Sequence, residues 1–195
     1  MARYTGPKWK LARRENFDVF GSDKWRRRQT LPGVHPVSKS RASNYSVQFR
    51  EKQKVKRIYG LLEKQFRNTF KKASKETGNT GLRLLQLLEL RLDNVVYKLG
   101  FAYSINHARQ LVSHGHIKVN GKKITVPSYS VKVGEAVEMD EKTKAADTTK
   151  ILLSEIKKTR QVPVWLENNK VKMAPTRDMV DQAIKEQLIV EFYSR

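Results

Sequence analysis

The first 85 residues carry 22 Lys and Arg side chains against 6 Asp and Glu, and a stretch so positive repels itself unless a polyanion neutralises it. Residues 86–195 are milder, with 18 basic and 13 acidic side chains. The net charge of +21 is far beyond what solubility requires. Nucleic acid is the partner that such an imbalance fits, with the N-terminal part as the electrostatic grip. A membrane surface fits less well, because no run of some 18 apolar residues occurs and no signal-peptide core follows the N-terminus. A soluble, intracellular chain is expected. The absence of cysteine removes disulfides and cysteine-ligated zinc, and four histidines at 35, 107, 114 and 116 are a poor metal-site inventory. Neither metal nor cofactor is expected.

Periodicity divides the chain. Residues 1–46 show no sustained pattern, carry turn signals at Gly6-Pro7, Pro32-Gly33 and Pro36, and are expected to order only on a partner. From about Ser46, Val55, Ile58, Leu62, Phe66, Phe70 and Ala73 recur at steps of three and four, a helical apolar stripe. Phe66 and Phe70 fall on that stripe, which favours core packing over base stacking. A second stripe, Leu84, Leu85, Leu88, Leu92, Val95, Val96 and Leu99, ends at Gly100 in a C-cap position. Ser104 caps a short helix with Ala108, Leu111 and Val112 inward, stopped by Gly115. Ile117 and Val119, then Asn120-Gly121, then Ile124 and Val126 form a strong hairpin signal closed by Pro127. Val131, Val133, Val137 and Met139 around Gly134 suggest one more strand pair, so residues 89–139 read as helix, helix, small sheet. Residues 140–149 resemble a linker. The nearly balanced tail, 151–195, ends in an amphipathic stretch from Met179 to Val190 suited to packing or protein contact.

The outward residues of the short helix and hairpin are expected to converge: Asn106, Arg109 and Gln110 on the helix, His114 at its end, and Lys118, Asn120, Lys122 and Lys123 on or beside the turn. Guanidinium forks and amides beside ammonium groups suit phosphate and 2′-hydroxyl recognition. The other RNA-binding candidates are Arg3, Arg13, Arg14, Arg26, Arg27, Arg28, Lys39, Arg41, Arg50, Lys52, Lys54 and Arg57 in the basic N-terminal part. Catalysis has little to build on: Ser104, Ser113 and Ser128 lack a nucleophile-elbow context, no glycine-rich phosphate loop is present, and Asp93 has no acidic neighbour in sequence.

At these residues the sequence resembles a known family. "RLDNVVYKLGFAYSINHARQLVSHGHIKVNGKKITVPSY" (91–129) is similar to the S-four type RNA-binding motif. "ARYTGPKWKLARRE", "YSVQFREKQKVKRIYGLLEKQF" (45–66), "VPVWLE", "PTR" and the ending "EQLIVEFYSR" extend the resemblance, in order, to the bacterial small-subunit ribosomal protein S-four family. The resemblance implies an α+β fold: a mostly helical domain built from both chain ends (1–88 and 151–195), with the RNA-binding domain (89–150) inserted. It implies binding to 16S ribosomal RNA, nucleation of subunit-body assembly, a basic surface near the messenger RNA entry channel, and contact with neighbouring protein S-five that affects decoding accuracy. For that protein contact, Asp181, Lys185, Leu188 and Glu191 are the candidates, and no enzymatic activity or small-molecule substrate is implied. Two departures stand out. Where many members carry a Cys-x-x-Cys zinc pair, this chain has Trp9 and Ala12, a zinc-free form. Where the motif has an arginine after Ser104, it has Ile105, which throws more of the phosphate load onto Arg109. An RNA-modifying enzyme using the motif as a handle, and a free-standing regulator or RNA chaperone, are the competing classes.

Overall fold

A computed structural model describes residues 4–28, 30–34 and 43–194. In chain order, the described residues form α1 (Lys8–Glu15), α2 (Asn44–Ile58), α3 (Glu63–Ala73), α4 (Thr80–Glu89), α5 (Leu92–Lys98), α6 (Ile105–Ser113), β1 (Ile117–Val119), β2 (Lys122–Lys123), β3 (Val137–Met139), α7 (Glu141–Ala145), α8 (Asp147–Thr159), β4 (Leu166–Glu167), β5 (Lys170–Val171) and α9 (Glu186–Tyr193). Short 3-10 turns lie at Asp23–Arg27 and Arg177–Met179. This is the α+β class that the sequence implies. The chain separates into two compact units, residues 1–81 with 182–195, and residues 82–181.

The first unit is helical among its described residues. α2 is capped by the Ser43 hydroxyl, which accepts from the Ser46 amide at 3.2 Å. The long stripe read from the sequence is two helices, because Gly60 takes a left-handed conformation (φ 61°) and the Leu61 amide closes back onto the Lys56 carbonyl at 2.9 Å. Val55, Phe66, Phe70, Ala73, Ile184 and Ile189 are buried in this unit, so both phenylalanines are core. α9 completes it: Tyr193 stacks on Phe70 with ring centroids 4.6 Å apart, and Phe192 meets Tyr45 at 5.6 Å and Phe49 at 6.0 Å. The N-terminal segment, expected to lack structure without a partner, folds residues 8–15 into a helix. Ala12 is fully buried and Trp9 meets Phe20 edge-on at 6.2 Å, while Arg13 and Arg14 donate to the carbonyls of Thr30 and Pro32 at 3.2 and 3.0 Å.

In the second unit, α5 and α6 pack on a three-stranded antiparallel sheet of order β2-β1-β3. The second sequence stripe is also two helices, since Arg91 is extended (φ −65°, ψ 137°) and bridges to Ser130. Gly100 (φ 81°) ends α5 and Ser104 caps α6, its hydroxyl accepting from the His107 amide at 3.2 Å. The hairpin turns on Asn120 and Gly121, with φ of 48° and 76°. Beyond it only Lys122 and Lys123 continue the ladder, and Val137–Met139 pairs with β1 and not with a strand around Val131. The expected linker over 140–149 is mostly helix, α7 and the start of α8. The expected boundary at 150/151 also moves. Trp165, Leu166 and Val171 join Leu92, Val96, Val112, Ile117 and Val137 in one core, and the Val137 amide donates to the Asn169 carbonyl at 2.8 Å. Residues 151–181 therefore belong to this unit, and only 182–195 complete the helical one.

Candidate nucleic-acid interface

α6 exposes Asn106, Gln110 and His114 at intervals of four, one face of the helix, while Ala108, Leu111 and Val112 turn inward. Gly115 (φ 75°) then turns the chain into β1, and the hairpin brings Lys123 across that glycine, so close that a Cβ there would lie 1.9 Å from the lysine Cε. Lys122 is exposed beside it. Helix end and hairpin thus converge as expected, but three of the expected members have structural occupations. Asn120 is exposed, yet its Oδ1 accepts from the Ala136 amide at 2.9 Å and fixes the turn. Lys118 pairs with Asp140 at 2.8 Å, and that hydrogen bond and charge raise the lysine pKa and lower that of the aspartate.

Arg109 is the larger correction. It is not outward but 9% exposed, and its Nε and Nη2 donate to Asp93 Oδ2 at 3.0 and 2.7 Å. Arg91 donates to both oxygens of the same carboxylate at 3.1 and 2.9 Å. Beside them the Asn94 amide donates to the Glu89 carbonyl and carboxylate at 2.9 and 2.7 Å. Arg91, Asp93 and Asn94 therefore spend their polar groups joining α4, α5 and α6 in the interior. A short helix cannot hide a guanidinium without such a partner, and sequence spacing alone does not disclose that Asp93 faces it.

The first unit shows a similar exchange of roles. The α2 cations are mostly internal: Lys52 is 4% exposed, bonded to Glu63 Oε1 at 2.7 Å and held over the Phe49 and Phe192 rings at 4.9 and 4.6 Å. Lys54 pairs with Glu51 at 2.8 Å and donates to the Ala183 carbonyl, and Arg50 and Arg57 both pair with Glu15. Burial pushes the Glu63 carboxyl up, but the hydrogen bonds and charges of Lys52 and Lys56 outweigh it and hold the pKa at about 2. Burial and the neighbouring Glu63 carboxylate push the Tyr193 hydroxyl well above its ordinary range. The outward cations are on α3, where Lys64, Arg67, Lys71 and Lys72 are exposed with no ion-pair partner among the described residues. The sequence already puts them on the basic faces opposite Phe66, Phe70 and Ala73, the likelier RNA contacts, although the residue-by-residue candidates stop at Arg57. Arg26, Arg27 and Arg28 are exposed too, and Arg26 lines an open cleft of about 600 Å³ with Arg13, Phe17 and Trp25. Arg3, Lys39 and Arg41 lie outside the described residues.

In the tail, Asp181, Lys185 and Glu191 are exposed and Leu188 is half-buried. Glu191 accepts from Gln48 Nε2 at 2.8 Å. The amphipathic stretch from Met179 to Val190 spends its apolar side chains on packing: Val180, Ile184 and Ile189 are buried, and no large apolar side chain of this stretch is exposed.

Among the described residues, no group of three His, Cys, Asp or Glu side chains is placed to hold a metal ion, and no helix is long and apolar enough to cross a membrane. The model of the Ribosomal protein S4/S9 N-terminal domain matches residues 3–89, and that of the S4 domain matches residues 90–137. Small ribosomal subunit protein uS4 of Geotalea daltonii is 49% identical over 209 aligned positions that span the whole of both chains. The chain belongs to the uS4 family. Protein uS4A of Clostridium acetobutylicum is also 49% identical and uS4 of Trichlorobacter lovleyi 48%, again over the full length of each. In this chain the two family matches meet between Glu89 and Leu90, beside the buried network of Glu89, Arg91, Asp93, Asn94 and Arg109. The uS4 resemblance carried by "RLDN" thus rests on residues that build the RNA-binding module, while Asn106, Gln110, His114, Lys122 and Lys123 are the ones left at its surface.

Proposed function

We propose that this chain is a structural constituent of the small ribosomal subunit that binds 16S ribosomal RNA directly and has no catalytic role. The full-length similarity to proteins named small ribosomal subunit protein uS4 carries this reading. Two separate surfaces support it. One is the α3 face of Lys64, Arg67, Lys71 and Lys72, in a unit that also exposes Arg26, Arg27 and Arg28; the other is the exposed set Asn106, Gln110, His114, Lys122 and Lys123. The first offers phosphate-directed charge, and the second mixes amides and an imidazole with cations, suited to grooves and 2′-hydroxyls. Binding of a 16S ribosomal RNA transcript, measured by filter retention as salt is raised, tests the proposal. The expected result is tight binding at low salt that falls with a log-log slope of magnitude about 5 or more. A flat salt dependence would contradict it.

By the same resemblance, the chain works in the cytoplasm, nucleates assembly of the subunit body, lies near the messenger RNA entry channel, and touches protein S-five through the region of Asp181, Lys185, Leu188 and Glu191. The exposed charges of Asp181, Lys185 and Glu191 support a polar contact there, not an apolar one. Asp181→Lys is expected to change misreading frequency in a translation assay while leaving affinity for naked 16S ribosomal RNA unaltered. A loss of RNA binding with fidelity intact would assign the region to the RNA surface instead.

A further inference from the structure

Tyr103 is 61% exposed, and among the described residues of the 82–181 unit it is the only aromatic side chain with a large exposed surface. Exposed tyrosines are commonly free to rotate, but this one is held. Its ring stacks on His107 one turn into α6, with centroids 4.6 Å apart and planes inclined by 27°. Its backbone is tied as well: Arg160 donates to the carbonyls of Tyr97 and Ala102 at 2.9 and 3.1 Å and to that of Tyr103 itself at 3.4 Å. With His107 covering one face and most of the ring accessible, the other face is open to solvent. Burial lowers the His107 pKa, which favours the neutral imidazole beneath the ring. Asn106 and Gln110, both exposed, lie one residue before and three residues after His107 on α6.

An aromatic face held against a helix that also exposes two amides offers what an unpaired base requires: a surface to stack on and donors and acceptors for its edge. Holding the ring in place beforehand removes the rotamer entropy that a free side chain would lose on binding. We infer that Tyr103, backed by His107, is a stacking platform for a single unpaired nucleobase of the bound RNA. The inference rests on the RNA-binding function proposed above and adds to it a contact that is not electrostatic.

That difference in character makes it testable. Replacing a phosphate-contacting cation lowers affinity and reduces the salt slope, because fewer counterions are released; removing a stacking contact lowers affinity equally at every salt concentration. Binding of a 16S ribosomal RNA transcript is to be measured across salt for the natural chain, Tyr103→Phe and Tyr103→Leu. The expected result is that Tyr103→Leu binds roughly 5- to 100-fold more weakly with the slope unchanged, and that Tyr103→Phe keeps its affinity to within about threefold. Full affinity in Tyr103→Leu, or a shallower salt slope in it, overturns the stacking assignment and leaves RNA binding standing. Failure of the natural chain to bind overturns the underlying function and the platform with it.

Discussion

Asp93 is 1% exposed and pairs with two guanidinium groups at once, so removing it takes this shared carboxylate from both Arg91 and Arg109 in the interior. Asp93→Ala is therefore expected to lower the free energy of unfolding of the 82–181 unit by about 3–5 kcal/mol in urea denaturation. Arg109→Ala should cost less, because Arg91 still meets the carboxylate, and its effect on RNA affinity should follow stability and not salt. An Asp93→Ala chain as stable as the natural one would show that the network is incidental. Glu63 gives a pH signature. Its pKa in the folded chain is about 2 against an ordinary 4.5, so its ion pairs with Lys52 and Lys56 stabilise the fold above about pH 4.5. That contribution is lost as pH falls from 4.5 toward 2. Thermal melts of Glu63→Gln should accordingly be lower than those of the natural chain at pH 7 and converge with them near pH 2; a constant gap across this range would exclude the titration.

On α3, the exposed cations Lys64, Arg67, Lys71 and Lys72 have no ion-pair partner among the described residues. Changing Lys64, Arg67, Lys71 and Lys72 together to Gln is expected to leave the circular dichroism spectrum intact and to reduce the magnitude of the salt slope for 16S ribosomal RNA by about 3. The same four changes with no effect on the slope would place the RNA elsewhere. Local signals made many elements legible in the sequence. The Ser104 cap, the Gly100 and Gly115 stops and the Asn120-Gly121 turn are each set by one residue's own conformational preference, and all occur where that preference puts them. The breaks at Gly60 and Arg91 were hidden because the apolar spacing of three and four continues across them on both sides. Sites fared differently for a related reason. Spacing tells which residues share a helix face, but whether Lys52 or Arg109 is outward depends on where Glu63, Asp93 and the Phe192 ring arrive from other elements.

For the molecule as a whole, a net charge of +21 coexists with a fold that neutralises much of its own charge internally: Arg50, Lys52, Lys54, Arg57, Arg91 and Arg109 all have carboxylate partners within their own units. The exposed cations on α3, in the Arg26–Arg28 run and at the hairpin are among those an RNA backbone could neutralise. A scaffold of the subunit and a free-standing regulator could share those surfaces, and they differ in how much of the chain stays bound. The most direct test is co-sedimentation of the chain with small ribosomal subunits from its own cells at moderate salt, quantified against another small-subunit protein. A structural constituent is expected near one copy per subunit, with little protein left in the free fractions; a chain found mostly free, with subunits intact without it, would contradict its role as a structural constituent.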